Sequence, residues 1–142
     1  MILTVGLFRI GDNVTLAPRV SVLAHDASTK MLIGYTKIGT VKIGNNVFVG
    51  ANSVILPGTI IWDNVVIGVG SIVCGNIPSG GVYAGNPCKM LCTTESYIAK
   101  HKERMQAAPV YGQDYTLSSG VTEDKKIEMK TQMENTVFGY VR

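Results

Sequence analysis

Histidine and cysteine are scarce in this sequence of 142 residues, which holds two histidines and three cysteines. Two histidines are too few for a zinc site built on three histidine ligands. The cysteines, Cys74, Cys88 and Cys92, are odd in number and lack the paired spacing of a zinc-binding motif, so we expect them to be reduced, small apolar fillers. No metal site is therefore predicted.

Long apolar runs and dense charge are missing as well. No segment reaches the roughly 20 apolar residues of a membrane-spanning helix, and the first residues lack a charged leader followed by an apolar stretch. Charged residues make up only 16% of the chain, and the formal net charge of +3 is spread out, which argues against nucleic-acid binding. These absences predict a soluble, cytoplasmic, single-domain protein with at most a dependent tail.

What the sequence has in abundance is a six-residue period that starts at Ile43. An aliphatic residue opens each hexad, and Asn or Gly stands at its fourth position. The first column is Ile43, Val49, Ile55, Ile61, Ile67 and Val73, and the second is Asn46, Asn52, Gly58, Asn64, Gly70 and Asn76. Because Asn and Gly adopt positive φ most cheaply, each hexad indicates a short strand followed by a tight corner. Such hexads predict a parallel β-helix.

The same phase extends upstream through Ile10, Leu16 and Val22, and it places His25 at a corner. The spacing from Val22 to Ile43 is not a multiple of six, so residues 27–42 are predicted to form a loop that leaves the coil. Three hexads per turn give one coil over residues 10–27, two more over 43–78, and a partial turn at 82–84. A stack this short should self-associate to cover its faces and ends.

The C-terminal part of the sequence has a helical character. After the turn-rich Gly85, Asn86 and Pro87, a helix is predicted over residues 94–107, a second over 123–133, and a strand within 136–141. We place the domain boundary between residues 1–92 and 93–142. The tail is predicted to pack on its own coil stack or on that of a neighbouring subunit.

His25 is the strongest candidate for chemistry in this chain. An imidazole titrates near neutral pH, so it can take a proton from a hydroxyl and pass it to a leaving group. The alternative is that His25 is only a corner residue in the place of Asn or Gly. Asp26 either orients the imidazole or caps the loop. No GxSxG elbow or Cys–His signature indicates a covalent nucleophile, and His101 is predicted to be a surface or packing residue.

The hexads from Ile43 to Val73, preceded by LAHDAST and followed by GNPCKML, resemble the hexapeptide-repeat acyltransferases, particularly bacterial sugar O-acetyltransferases. The resemblance covers roughly residues 10 to 92. It implies a mainly β fold with a left-handed coil, against the usual right-handed crossover, and a homotrimer with active sites in clefts between subunits. It also implies acetyl-CoA as the donor, with direct transfer of the acetyl group and His25 as the base.

The resemblance further implies a cofactor groove along the coil. Backbone amides of the coil would hold the oxyanion and the pantetheine arm, and a basic residue after the last coil would meet the CoA phosphates. The alternative for the glycines is that they are ordinary hexad residues, because their phase in the repeat already explains them. The alternative for the basic residue is that it is a solvated lysine. The positions that match the family are Gly50, Ala51, Val69, Gly70, Asn86, Pro87 and Lys89.

The acceptor is the part that the sequence determines least. A hydroxyl of a sugar or a polysaccharide precursor is the leading expectation, with serine or an antibiotic as alternative acceptors. A noncatalytic trimeric scaffold is a further alternative, whereas a zinc carbonic anhydrase on the same coil would need three histidines. Leu56 and Trp62 stand where Gly is common in the repeat, and Trp62 is predicted to pack in the trimer interface or to lie near an acceptor sugar.

Overall fold

The protein is described by a computed structural model over residues 6–142. Its first part winds into a parallel β-helix whose successive coils stack strand on strand. The first coil contains β1 (Phe8–Ile10), β2 (Val14–Leu16) and β3 (Ser21–Val22), followed by a hairpin of β4 (His25–Asp26), the one-turn helix α1 (Lys30–Ile33) and β5 (Lys37–Ile38).

Two further coils and a partial fourth complete the helix. The second contains β6 (Val41–Ile43), β7 (Val47–Val49) and β8 (Val54–Ile55). The third contains β9 (Ile60–Ile61), β10 (Val65–Ile67) and β11 (Ile72–Val73). The partial fourth contains β12 (Asn76–Ile77) and β13 (Gly81–Gly85), and β13 pairs antiparallel with β14 (Cys88–Thr93). The number of coils agrees with the prediction, whereas the hairpin begins at His25 and the coil resumes at Val41, both earlier than the predicted loop of residues 27–42 implied.

The strands form the three faces of a prism. The first face has the order β1-β6-β9-β12, the second β14-β13-β10-β7-β2, and the third β11-β8-β3. Phe48 pairs with Val66 and Val54 with Ile72, a step of 18 residues that corresponds to three hexads per coil. This mainly β fold, a left-handed coil with C-terminal helices, confirms the predicted fold class. We call the corner between the second and third faces edge 2–3, and the corner between the third and first faces edge 3–1.

The predicted aliphatic column forms the core. Its members from Ile43 to Val73 are at most 4% exposed, and each such side chain contributes about 1.5–3 kcal/mol by its burial. Buried hydroxyls at the corners donate to the backbone, as Ser71 does to Gly68 O at 2.7 Å and Thr59 to Leu56 O at 2.6 Å. At the open first coil the column is less covered, and Ile10 is 53% exposed.

Two predicted corners are wrong. Asn46, Asn52, Gly58, Asn64 and Gly70 have positive φ as expected. In contrast, Asn76 lies in β12, and Gly75 with φ 74° takes the corner. The reason is that Ile77 pairs with Ile61, a step of 16 residues instead of 18. His25 likewise lies in an extended strand paired with Ile38, because the chain leaves the coil before the corner would form.

The chain divides into two compact units, one up to Tyr97 and one from Ile98. The helices α2 (Thr94–Gln106) and α3 (Glu123–Met133) match the predicted ones. The predicted strand at 136–141 is shorter, since β16 (Tyr140–Val141) pairs with β15 (Val110–Tyr111), and two short 3-10 helices span Gln113–Tyr115 and Leu117–Ser119. None of the helices in the described part of the chain is long and apolar enough to cross a bilayer.

Candidate active site

A cavity of about 550 Å³ lies at edge 3–1, where the β4–β5 hairpin leaves the coil. The hairpin supplies its polar side chains, and the second and third coils supply most of its apolar wall. The lining residues are Leu23, His25, Asp26, Ala27, Lys37, Leu56, Pro57 and Cys74. His25, the predicted base, and residues of the stacked coils therefore line the same cavity.

Backbone hydrogen bonds fix the base of the hairpin, and with it the position of His25. Leu23 N–H donates to Ile55 O at 2.9 Å, which keeps the outgoing chain on the coil. Gly39 N–H donates to Ala24 O at 2.9 Å, which brings the chain back beside the point where it left. A Cβ at position 39 would lie 2.7 Å from Gly58 N, so the return needs glycine. His25 itself is solvent-exposed.

The Asp26 carboxylate is hydrogen-bonded to the loop that follows it. Its Oδ1 accepts a hydrogen bond from Ser28 N–H at 2.9 Å. This bond, with a further one from the Ser28 side chain, holds the pKa of Asp26 below its usual value, and the charges of Lys37 and His25 act in the same direction. The structure thus displays the loop-capping role of Asp26, and orientation of His25 by Asp26 stays a prediction.

Two residues of the cavity, Lys37 and Cys74, were missed by the sequence analysis. Cys74 is exposed in the cavity, so the prediction of an apolar filler is wrong there. Cys88 fits that prediction, because it is buried and its burial raises the pKa of its thiol. Lys37 had no motif to mark it. Knowledge of the pairing between β4 and β5 would have identified Lys37, because that pairing places it directly opposite Asp26.

The predicted cofactor residues lie on a different edge of the prism. Gly50, Ala51, Val69 and Gly70 follow one another along edge 2–3 of the second and third coils, and Val69 is 71% exposed. Gly85 N–H donates to Ser71 Oγ at 3.2 Å, which holds the following turn on the same edge. We call this surface the edge strip, and it consists of Gly50, Ala51, Val69, Gly70, Asn86 and Pro87.

Not every amide of the edge strip is available to a ligand. Gly50 N–H donates to Ile67 O and Gly70 N–H to Ala51 O, both at 2.8 Å. Within residues 6–142, the amides of Ala51 and Val69 make no such bond. Gly50 is instead required for stacking, since a Cβ there would lie 2.5 Å from Val69 N. Ala51 and Val69 are therefore two donors that the second and third coils leave open at this edge.

The remaining predicted residues have clear positions. Lys89 is exposed on β14 and pairs with Ala84. His101 lies in the C-terminal unit, half-buried, with its Nδ1 2.9 Å from the Tyr140 hydroxyl. Trp62 is 51% exposed, and its Nε1 donates to Asn76 Oδ1 at 2.6 Å. In the part of the chain that the structure describes, no three His, Cys, Asp or Glu residues are grouped to hold a metal ion.

His25 and the edge strip are not brought together within one chain. His25 and Asp26 lie at edge 3–1, whereas the edge strip follows edge 2–3. The whole third face, with Val54 and Ile55 of β8, separates the two edges. A ligand on the edge strip of one chain is thus one prism face away from the His25 of that chain.

Comparison with known proteins places this architecture in a family. The family described as bacterial transferase hexapeptide (six repeats) matches residues 40–75. Protein CapG of Staphylococcus aureus is 35% identical over 133 residues, which are 91% of this chain and 73% of that protein. The galactoside O-acetyltransferase of Escherichia coli is 46% identical over 85 residues, 58% of this chain and 42% of that protein.

Solved structures give the same result. The structure of a galactoside acetyltransferase in complex with coenzyme A has a TM-score of 0.55 and 40% identity, and the match covers 61% of this chain and 44% of that one. The chain spans about half the length of the first curated relatives that it matches. On the hexads, the coil and the extensive match to CapG, this chain belongs to the hexapeptide-repeat acetyltransferase family.

Proposed function

We propose that this protein transfers an acetyl group from acetyl-CoA to a hydroxyl of a sugar or a polysaccharide precursor, in the cytoplasm. The observation that carries the proposal is the cavity at edge 3–1, where His25 stands on a hairpin fixed to a hexapeptide coil. The relative named galactoside O-acetyltransferase and the neighbour solved with coenzyme A support the reaction and the donor.

The active site that we propose is shared between subunits of a homotrimer. In a cyclic trimer, a surface of one subunit meets a different surface of the next. His25 of one subunit can then face the edge strip of its neighbour, which one chain alone does not achieve. Exposed apolar side chains on the coil, such as Phe48 at 44% and Val69 at 71%, are consistent with a surface that another subunit covers.

The chemistry needs one base and one set of oxyanion donors. His25 takes the proton of the acceptor hydroxyl while its oxygen attacks the thioester carbonyl. In this proposal the amides of Ala51 and Val69 donate hydrogen bonds that stabilise the negative charge of the tetrahedral intermediate. The C–S bond then breaks, and the CoA thiolate receives the proton from the His25 imidazolium. Asp26 contributes by its negative charge, which stabilises that imidazolium.

The groove for the donor follows the edge strip. The pantetheine arm lies along Gly50, Ala51, Val69 and Gly70, and the turn of Asn86 and Pro87 closes the groove. Exposed Lys89, next to that turn, is available for the CoA phosphates. The small side chains of the strip let an extended chain approach the backbone closely.

The test is release of the CoA thiol from acetyl-CoA by the purified protein, with a panel of sugar, serine and antibiotic acceptors. We expect His25→Ala to lower turnover by about 10²- to 10⁴-fold. Light scattering should show the same oligomer for the variant. The matched control is His101→Ala, which removes the other imidazole of the chain and should keep the activity.

Each alternative has its own outcome. A noncatalytic scaffold would release no thiol with any acceptor, and His25→Ala would change nothing. An acceptor other than a sugar would be revealed by the panel itself. A His25→Ala protein with full turnover would contradict the proposed base, whichever acceptor is used.

A further inference from the structure

The cavity at edge 3–1 has a charge that the proposed acetyl transfer does not use. Lys37 lines this cavity together with His25. We infer that the acceptor carries an anionic group, a carboxylate or a phosphate on a sugar, and that Lys37 binds it while His25 takes the proton of a nearby hydroxyl. This inference rests on the proposed function and names its class of acceptor.

The ammonium of Lys37 forms no salt bridge with a described carboxylate of the protein. The salt bridges found within residues 6–142 join Lys125 to Asp114 and Lys126 to Glu123, so the Lys37 ammonium is more than 4.0 Å from every described carboxylate. Asp26 is its nearest partner by register, yet the carboxylate of Asp26 accepts from Ser28. Asp26 lines the same cavity, but it forms no salt bridge with Lys37, and a cation without a direct ion pair is suited to an anionic ligand.

The charges of the surrounding segment favour the same ligand. Between Asp26 and Asp63 the sequence contains no acidic residue, whereas it contains Lys30, Lys37 and Lys42. The hairpin and the coil that follows it thus carry an excess of positive charge. Such an excess raises the local concentration of an anionic substrate and speeds its binding.

The apolar wall explains why a sugar acid or a sugar phosphate fits better than a small inorganic anion. Leu56 and Pro57 are half-buried and line the side of the cavity formed by the coil. Their aliphatic surface suits the C–H face of a pyranose ring. A base, a cation and an apolar wall in one cavity thus match a ring that bears both a hydroxyl and an anion.

The experiment compares matched acceptors on the intact protein. Thiol release from acetyl-CoA is measured with galactose, galacturonate and galactose 1-phosphate, which separates a carboxylate from a phosphate. We expect at least one anionic acceptor to have a higher kcat/KM than galactose. Lys37→Met should lower the ratio of anionic to neutral kcat/KM about 10-fold, mainly through KM, since it removes a charge-assisted hydrogen bond to the anionic group. Lys37→Arg should keep most of this ratio.

The control is Lys30→Met, which removes a lysine of the same hairpin that lies outside the cavity lining. It should leave the ratio unchanged. Equal kcat/KM for anionic and neutral sugars, or an unchanged ratio in Lys37→Met, would overturn the inference while thiol release still supports acetyl transfer. No thiol release with any acceptor would instead overturn the proposed function and this inference together.

Discussion

Asp26 and Lys37 are directly paired across the β4–β5 hairpin, but the Asp26 carboxylate accepts its hydrogen bond from Ser28 and forms no salt bridge with Lys37. The two charges therefore interact across the hairpin without a direct ion pair. Asp26 accepts the bond that orders the turn at the start of the loop, and Lys37 lines the cavity. Removing either charge should have different consequences.

The first prediction concerns the loop turn held by Asp26. Because the bonds from Ser28 hold the pKa of Asp26 below the usual value of 3.8, the contribution of the carboxylate to loop order is present above that pH. It is lost as the pH falls through the lowered pKa. Hydrogen exchange of the Ser28 amide should accelerate, relative to its intrinsic rate, over this acidic range.

Asp26→Asn provides the comparison for that measurement. The variant keeps an oxygen that can accept from Ser28 N–H but has no charge to titrate, so its protection should not change as the pH falls below 3.8. Wild-type protection that is flat with pH would show that the carboxylate charge does not order the turn.

The second prediction concerns Gly50. A Cβ at this position would lie 2.5 Å from the backbone N of Val69, so Gly50→Ala must push two coils apart. We expect a loss of about 1–3 kcal/mol in the free energy of unfolding, as for other overpacked sites. Denaturant unfolding measures it.

Gly58→Asn is the matched control for Gly50→Ala. Gly58 has φ 85° and no heavy atom near the place of its Cβ, and other corners of the coil hold Asn at positive φ. Its stability should change by less than about 1 kcal/mol. Equal stability losses for the two variants would mean that crowding against Val69 is not the cause.

The third prediction concerns the thiols. Cys74 is exposed in the cavity at edge 3–1, whereas Cys88 is buried and its pKa is raised, chiefly by burial. Since the thiolate is the reactive form, iodoacetamide at pH 8 should label Cys74 much faster than Cys88. Peptide mass spectrometry over time measures both rates.

Labelling of Cys74 also reports on the cavity. A group attached there should reduce acetyl transfer by filling space beside His25, and Cys74→Ser should abolish this inhibition. Inhibition that persists in Cys74→Ser would indicate that the reagent acts at another residue.

The fourth prediction concerns Tyr115 in the C-terminal unit. Its hydroxyl donates to Glu128 Oε2 at 2.6 Å, and this bond is the main reason that the pKa of Tyr115 is raised to about 12. While Glu128 is ionised, the bond stabilises the fold fully at pH values below the unfolded tyrosine pKa of about 10. Its contribution is lost as the pH rises through about 12.

Ultraviolet difference titration of tyrosinate measures this pKa. Tyr115→Phe identifies the signal, and Glu128→Gln should move the transition of Tyr115 towards 10, since it removes the negative charge beside the hydroxyl. A Tyr115 transition near 10 in the wild type would contradict the hydrogen bond to Glu128.

The repeat determines much of the fold because it is local and redundant. Ile55, Ile61 and Ile67 are buried where the hexads predicted, since each aliphatic residue must face the core of a coil. The prediction failed at Asn76, where the coil is shorter by two residues and Gly75 takes the corner. Nothing in a six-residue pattern indicates such a shortening until strand pairing is known.

The candidate site was predicted only in part, for a related reason. His25 was identifiable because its residue type is chemically distinctive and because a resemblance supported it. Lys37 and Cys74 enter the same cavity only through the hairpin pairing and the stacking of coils, and both are long-range contacts. The hydrogen bond of the Gly50 amide likewise could not be predicted, because its acceptor, Ile67 O, lies on another coil.

The backbone bond from Gly39 N–H to Ala24 O closes the hairpin at its base. The coil resumes at Val41, which is paired with Phe8. We therefore expect that the segment between these two ends can be exchanged while the coil keeps its structure. Insertions, deletions or grafts between His25 and Ile38 should then change the shape of the cavity without altering the stack, and under the proposed function this is where acceptor preference would evolve.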